Sequence, residues 1–207
     1  RLHLLPPGVT PDRRRPTDAV ARRAAARHKL GLAHDVHTLL FVGSGFVTKG
    51  LDRAIRAVAT LQAAKPGRKL RLLVAGQDRV GRFALQARRD QVKHQVIFLG
   101  GRDDIPDLML AADVLVHPAR SEAAGIVLLE ALVAGLPVVT TAACGYAHHI
   151  AAADGGLVLP EPFSQDALTS ALVRALDKGF LQQCRTNGLA YAAREDLYSL
   201  HSAGADL

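Results

Sequence analysis

Aromatic side chains are scarce in this 207-residue sequence, which has six phenylalanines, three tyrosines and no tryptophan. Proteins that bind single-stranded nucleic acid stack its bases on aromatic rings, and no stacking motif occurs here. The net charge of +7 therefore does not by itself indicate a nucleic-acid partner. We expect no nucleic acid among the partners of this chain.

Cysteine is scarce as well, since the chain contains only Cys144 and Cys184. Two cysteines do not form a disulfide framework, and both are expected to be reduced packing residues. No run of about 20 apolar residues could cross a membrane, and no signal peptide opens the sequence. These features predict a cytoplasmic protein.

Patterns that bind metal ions are also missing. His148 and His149 are adjacent, so their side chains should point in different directions, and neither His-Glu-x-x-His nor Cys-x-x-Cys occurs. Asp-x-Asp, a common way of holding a metal against a diphosphate, does not occur either. We expect a site that needs no metal or other cofactor, and we interpret His117 as a packing residue at a strand end.

Arginine is concentrated near the start of the chain, at positions 13–15, 22, 23 and 27. The simplest interpretation of these clusters is a solvated basic face. The alternatives are attraction to an anionic membrane surface or to a polyanionic substrate. The membrane alternative would make the protein peripheral at the cytoplasmic face of the inner membrane.

Short apolar runs alternate with helical patterns of about 10–15 residues, which predicts βαβ units. The predicted strands are 38–42, 70–75, 96–99, 114–117, 138–141 and 158–159. The predicted helices are 17–28, 51–64, 81–93, 104–112, one that begins near Gly125, one capped by Ser164, and 181–198. The expected fold is a Rossmann-like, doubly wound parallel sheet with helices on both faces. We assign residues 1–16 to a linker, 17–190 to this Rossmann-like domain, and 191–207 to a C-terminal helix and tail.

Ligands of such sheets bind outside the carboxyl ends of the strands. Three of these ends are rich in glycine, at Gly43-Ser44-Gly45, Gly76 and Gly100-Gly101, which lets a ligand approach the backbone closely. Lys49 stands at the start of a helix, where a cation opposes the helix dipole unless an anion binds there. The alternative is a solvated lysine, but together with the glycines Lys49 predicts a phosphate site.

Two common phosphate motifs are excluded. A P-loop requires Lys-Ser or Lys-Thr after its second glycine, and Leu51-Asp52 follows Gly50 instead. A dinucleotide fingerprint requires a third glycine where Thr48 stands.

Residues 117–141 predict a strand end, a polar loop that carries Glu122, a helix that starts near Ala124-Gly125, and a further strand. The first N–H groups of that helix would attract an anion. Glu130 has only apolar residues at i±3 and i±4, so no neighbour on its helix can pair with it. An unpaired buried carboxylate would cost several kcal/mol, so Glu130 needs a partner from elsewhere.

Glu122 and Glu130, with seven residues between them, resemble the E-x7-E signature of the retaining family 4 glycosyltransferases, which have the GT-B architecture. Further segments in the order of that family are Phe41-Val42-Gly43, Lys49-Gly50, Val74-Ala75-Gly76 and Ala112-Asp113. Within the family, the segments 122–130 and 144–148 are similar to the lipopolysaccharide core glucosyltransferases of Gram-negative bacteria. The resemblance covers nearly the whole chain.

The resemblance implies an enzyme with two Rossmann-like domains, of which the N-terminal one binds the acceptor and the C-terminal one the nucleotide sugar. Pro6-Pro7-Gly8 corresponds to the crossing between them, so the chain resembles the donor domain and lacks the acceptor-binding domain. The implied reaction moves a hexose, with glucose favoured, from a UDP-sugar to a heptose of the lipopolysaccharide inner core. The alternatives are a module that binds UDP or a UDP-sugar without transfer, a relative with another donor and acceptor, and an unrelated nucleotide-binding Rossmann protein.

The resemblance also implies roles for individual residues. Glu122 matches the catalytic carboxylate beside the transferred sugar, Lys49 the lysine on the diphosphate, and Glu130 the carboxylate that holds the ribose hydroxyls. The other implied substrate-binding residues are Gly43, Ser44, Gly76, Arg102 near the base, Ala123, Ala124, Gly125, Ile126 and Arg13. Many members of the family have an arginine where Thr48 or Ser44 stands here, so diphosphate neutralisation rests on Lys49 and the helix dipole, or on an arginine from elsewhere.

Overall fold

The computed structural model describes residues 7–199, so the predicted apolar start and part of the predicted tail lie outside the described residues. Its six-stranded sheet has the order β3-β2-β1-β4-β5-β6, and all neighbouring strands are parallel. The strands are β1 His37–Val42, β2 Leu70–Ala75, β3 Val96–Gly100, β4 Val114–His117, β5 Val138–Thr141 and β6 Gly156–Leu159. The helices are α1 Ala19–Lys29, α2 Leu51–Ala64, α3 Gly81–Arg89, α4 Ile105–Ala111, α5 Ile126–Ala134, α6 Ala147–Ala152, α7 Gln165–Ala175 and α8 Lys178–Arg194, and a 3-10 turn spans Pro11–Arg13.

The four central strands are largely buried because helices cover both faces of the sheet, whereas the edge strands β3 and β6 are partly exposed. Successive side chains of β1 point to opposite faces. Leu40 packs in a core with residues of α4, α5 and α8. Leu39 and Phe41 pack in a second core with residues of α2, α3 and α7. The predicted Rossmann-like fold is confirmed.

The strand order reverses between β1 and β4. From β1 the chain moves outward through β2 to β3, and from β4 it moves in the other direction through β5 to β6. The helix after β1, α2, lies on one face of the sheet, whereas the helix after β4, α5, lies on the other. The loops that follow β1 and β4 therefore separate at neighbouring strand ends, which is where doubly wound sheets bind their ligands.

The elements differ from the predicted ones mainly at their ends. α3 ends at Arg89 because the chain turns at Gln91, whose φ is +60°. α8 begins earlier than predicted, since the Asp177 carboxylate accepts a hydrogen bond from the N–H of Phe180. No pattern in the sequence predicts α6, whose six residues include two histidines and show no apolar stripe. The division of the chain at residues 16 and 190 stays a prediction, and α8 runs through residue 190 without a break.

The arginines of α1 do not form a solvated basic face. Arg27 is 6% exposed and donates hydrogen bonds to the carbonyl oxygens of Ala33, Val36 and Ala111 at 2.6–2.9 Å. Arg23 donates at 2.6 Å to two carbonyl oxygens at the end of α4 and pairs with Asp113. Arg22 pairs with Asp107 of α4. For these three residues the interpretation from sequence was wrong, because their charges hold α1 against α4.

Replacing Arg27 by methionine should lower the free energy of unfolding by at least about 3 kcal/mol, because buried carbonyl oxygens would lose charged donors. Urea unfolding measures the change. Arg56→Met is the matched control, since Arg56 is an exposed arginine on α2. Equal stabilities of the two variants would contradict a structural role for Arg27.

Candidate active site

Lys49 and Glu122 meet where the strand order reverses. Lys49 follows β1 and Glu122 follows β4, and the Nζ of Lys49 donates a hydrogen bond to Oε2 of Glu122. Their side chains are 21% and 19% exposed, so the pair is largely withdrawn from water. The structure thus joins the predicted diphosphate lysine to the predicted catalytic carboxylate in one ion pair.

Glycines at the ends of β1 and β2 allow the chain to pack closely on itself. A Cβ atom at Gly43, whose φ is +120°, would lie 2.9 Å from Cε of Lys49, so the lysine stem crosses bare backbone. A Cβ atom at Gly76 would lie 2.4 Å from the carbonyl oxygen of Gly43. These glycines therefore hold the loop and Lys49 in place, and their contact with a ligand stays a prediction.

Arg120 connects the two loops of the ion pair. Its backbone N–H donates to the carbonyl oxygen of Thr48 at 2.7 Å, and its guanidinium donates to that of Val47 at 2.8 Å. The same guanidinium pairs with both oxygens of Asp52 in α2, at 2.8 and 2.7 Å. Because Arg120 lies two residues before Glu122, it fixes the spacing between the loops that carry the two charges. No motif in the sequence indicates this role.

Arg53 makes the reciprocal connection from α2. Its guanidinium donates to the carbonyl oxygens of Pro118 and Ala119 at 3.1 and 3.2 Å. Gly50 lies against the same segment, since a Cβ atom there would be 2.1 Å from the carbonyl oxygen of Pro118. The loops after β1 and β4 are therefore held together from both sides.

The backbone on either side of Glu122 is fixed by the loop after β5. The N–H of Glu122 donates to the carbonyl oxygen of Ala143 at 3.2 Å, and the N–H of Gly145 donates to that of Glu122 at 3.0 Å. The backbone N–H of Tyr146 extends this pairing by donating to the carbonyl oxygen of Ala124 at 2.8 Å. The backbone of the catalytic candidate is thus hydrogen-bonded to the loop after β5 through both its N–H and its carbonyl group.

α5 begins beside Glu122, as predicted. Gly125 precedes the helix with a φ of +84°, and no side chain caps the first N–H groups. A Cβ atom at Gly125 would lie 3.3 Å from Cγ of Glu122, so the carboxylate side chain lies over the start of the helix. Ile126, the first residue of α5, is 40% exposed. The uncapped N–H groups of this first turn can accept an anion.

Glu130 finds its partner outside its own helix. Nε of Arg13, in the 3-10 turn, lies 3.4 Å from Oε1 of Glu130. Burial raises the pKa of Glu130, and the positive charge of Arg13 opposes that shift. Arg15 fixes the segment on α5 by donating to the carbonyl oxygens of Val133 and Ala134 at 3.0 Å. The sequence indicates that a partner is needed but does not identify it.

Two other predicted residues are engaged elsewhere. Arg102 pairs with both oxygens of Asp104, at 2.7 and 2.5 Å, in the loop after β3. β3 is two strands from β1, or about 10 Å, so the structure does not bring Arg102 to the ion pair. The hydroxyl oxygen of Ser44 accepts the N–H of Gln77 at 3.1 Å. Ala123 stays in the predicted loop, where its carbonyl oxygen faces Gly145.

His117 is the last residue of β4 and is fully buried beneath the ion pair. Its ring stacks on Phe41 with a centroid distance of 6.2 Å, and its Nε2 lies 3.7 Å from Oε2 of Glu122. Burial lowers the pKa of His117 to about 4, with a further lowering by Lys49 and an opposing effect of Glu122. The residue is therefore neutral at physiological pH, and its predicted place at a strand end is confirmed.

Residues 7–199 contain neither a metal-binding cluster nor a membrane-spanning helix. They contain no group of three or more His, Cys, Asp or Glu side chains placed to hold a metal ion. Within the same residues, no helix combines the length and the apolar character that crossing a bilayer requires.

Comparison with known families and proteins shows clear similarity. The model of the family "Glycosyl transferases group 1" matches residues 22–194. Lipopolysaccharide glucosyltransferase WaaG of Escherichia coli (strain K12) is 47% identical over 208 residues, covering 100% of this chain and 55% of that protein. The chain spans about half the length of the curated relatives it matches.

Solved structures agree with this result. The crystal structure of WaaG, described as a glycosyltransferase involved in lipopolysaccharide biosynthesis, superposes with a TM-score of 0.93 at 46% identity, over 99% of this chain and 55% of that one. The Anabaena protein HepE in complex with UDP-glucose superposes with a TM-score of 0.79 at 25% identity, over 96% of this chain and 55% of that one.

Acidification should destabilise the protein through His117. Because its pKa is about 4 in the fold and about 6.5 in the unfolded chain, the unfolded state binds the extra proton between these values. The contribution of this group is fully present above pH 6.5 and is lost as the pH falls toward 4. Between pH 7 and pH 5 the loss is about 2 kcal/mol.

Urea unfolding of the native protein and of His117→Gln at both pH values isolates this effect, because every other ionisable group is common to the two proteins. The stability of the native protein relative to the variant should decrease by about 2 kcal/mol on going to pH 5. A difference that does not change with pH would show that His117 is not neutral and buried.

Proposed function

The chain belongs to the group 1 glycosyl transferases, and we propose that it is the donor-binding half of a retaining enzyme that transfers a hexose from a UDP-sugar. The match to the family model and the 47% identity to a curated member confirm the family resemblance in the sequence. The proposed sugar is glucose and the proposed acceptor is a heptose of the lipopolysaccharide inner core. The 47% identity to a lipopolysaccharide glucosyltransferase supports this choice.

The observation that carries the proposal is the ion pair of Lys49 and Glu122 at the point where the strand order reverses. A sugar diphosphate presents two features that such a site can separate: a dianionic leaving group and a sugar carbon that becomes positive during transfer. Lys49 and the first N–H groups of α5 suit the leaving group. Glu122 suits the sugar.

The reaction breaks the bond between the anomeric carbon and the diphosphate oxygen, and forms a bond from that carbon to the acceptor hydroxyl oxygen. The proton of that hydroxyl passes to the departing diphosphate. UDP leaves with additional negative charge, which Lys49 and the helix N–H groups stabilise. The carboxylate of Glu122 stabilises the oxocarbenium-like sugar. The anomeric configuration of the donor is retained.

The rest of the donor is placed along the same edge of the sheet. Glu130 accepts hydrogen bonds from the ribose hydroxyls. Arg13, which contacts Glu130 in the free chain, lies beside the ribose as well. The phosphates and the sugar meet the backbone of residues 123–126 and the loops at Gly43, Ser44 and Gly76. Arg102 lies toward the base, at the end of β3.

The chain alone binds UDP and UDP-sugar but transfers nothing, since acceptor binding belongs to the other half of the enzyme. Donor binding requires no metal, because Lys49 and the start of α5 neutralise the diphosphate. A lipopolysaccharide acceptor is anchored by its lipid, so the enzyme meets it at the cytoplasmic face of the membrane. The charges of α1 contribute little to that encounter, because they are used within the fold.

UDP binding to this chain, measured by calorimetry, is expected to weaken about 10–100-fold in Lys49→Met, because the diphosphate loses a charged donor and meets an unpaired Glu122. Binding by the native chain should persist in EDTA. Lys69→Met is the matched control, since Lys69 precedes β2 at the opposite edge of the sheet and pairs with Asp35. Preference for NAD over UDP would contradict the proposal.

Glu122→Gln should lower turnover of the enzyme with both lobes by about 10²–10³-fold. Its affinity for UDP should stay the same or increase, because Lys49 is then released from its partner. Radiolabelled sugar transfer and calorimetry measure the two quantities, and Glu195→Gln at an exposed position is the control. Equal losses of turnover and UDP affinity would refute the catalytic role of Glu122.

A further inference from the structure

His117 is a buried polar residue that the structure leaves without hydrogen bonds. Among the described residues, neither Nδ1 nor Nε2 of its ring has a partner, although the side chain is fully buried. Buried side-chain nitrogens in native proteins nearly always have a hydrogen-bond partner, and exceptions require an explanation. An apolar side chain could stack on Phe41 equally well, so packing alone does not explain a histidine at the end of β4.

The geometry points to Glu122 as the missing acceptor. Nε2 of His117 is 3.7 Å from Oε2 of Glu122, which is roughly 0.8 Å longer than a hydrogen bond. The same oxygen accepts a hydrogen bond from Nζ of Lys49 in the free chain. Two donors therefore converge on one carboxylate oxygen, and only the lysine is bonded to it.

We propose that His117 is a positioning residue. When Lys49 moves to the diphosphate of a bound nucleotide sugar, the Nε2–H of His117 donates a hydrogen bond to Glu122 in its place. This inference rests on the proposed function, because that function supplies the diphosphate that attracts Lys49. The exchange moves no proton between residues and breaks no covalent bond. Glu122 keeps a donor throughout and stays oriented toward the sugar.

A neutral imidazole suits this role better than a second cation. The pKa of His117, lowered by burial, keeps the ring uncharged at neutral pH. An uncharged donor fixes the direction of the carboxylate without cancelling the negative charge that the sugar requires in the transition state. The charged groups that influence the ring are Lys49 and Glu122, the two residues whose partners change.

Histidine-selective ¹⁵N NMR of the native chain tests the exchange directly, with UDP as the probe. On addition of UDP, the Nε2–H signal of His117 should shift downfield and its exchange with water should slow. Glu122→Gln lacks the carboxylate that accepts the hydrogen bond. In this variant, addition of UDP should leave the Nε2–H signal of His117 unchanged. UDP binding with an unchanged His117 signal in the native chain would overturn the exchange alone. Absence of UDP binding would overturn the proposed function and the exchange with it.

A matched pair of variants tests the consequence for turnover in the enzyme with both lobes. Glutamine places an amide N–H near the position of Nε2, whereas methionine has a similar length and no donor. We expect His117→Met to lower kcat at least 10-fold with KM for UDP-glucose within about 2-fold, and His117→Gln to recover most of kcat. Equal kcat values for the two variants would show that His117 acts only through packing.

Discussion

The ion pair of Lys49 and Glu122 is the interaction on which the organisation of the site depends. Each charge comes from a different half of the sheet, and both are mostly withdrawn from water. A charge that is mostly withdrawn from water needs its partner close by, so the two loops must be held in register. Arg120 and Arg53 provide that register. Arg120 reaches from the loop after β4 to a carbonyl oxygen of the loop after β1, and Arg53 reaches from α2 to carbonyl oxygens of the loop after β4.

The pair also sets a condition for the proposed binding of a diphosphate. A diphosphate must compete with Glu122 for Lys49. The net binding free energy is therefore smaller than the attraction between lysine and phosphate, because the ion pair with Glu122 is lost. In return, the free protein keeps both side chains close to their proposed positions in the complex, which lowers the entropy lost on binding. The lysine stem is confined by its passage over Gly43, and Glu122 is confined by the pairing of its backbone with residues 143–145.

The fold could be predicted from the sequence because apolar runs and helical stripes alternate along the whole chain, and local patterns determine both. The site could be predicted where a residue lacked a local explanation, as with Lys49 at a helix start and Glu130 on an apolar helix. Arg120 and Arg53 could not be predicted, since their acceptors are backbone oxygens that only the fold brings within reach. The arginines of α1 were misinterpreted for the same reason.

Both carboxylates of the E-x7-E pattern have the same arrangement in the free chain. Glu122 pairs with Lys49, and Glu130 pairs with Arg13. In both pairs the basic residue precedes the carboxylate by more than 70 residues in the sequence. In the proposed complex the diphosphate is the natural partner of Lys49, and the ribose hydroxyls are donors for Glu130. A ligand that reaches only one of the two carboxylate sites would leave the ion pair at the other site unchanged. In the proposed complex, discrimination between a nucleoside diphosphate sugar and a simple sugar phosphate follows from two separated contacts, each of which requires its own part of the ligand.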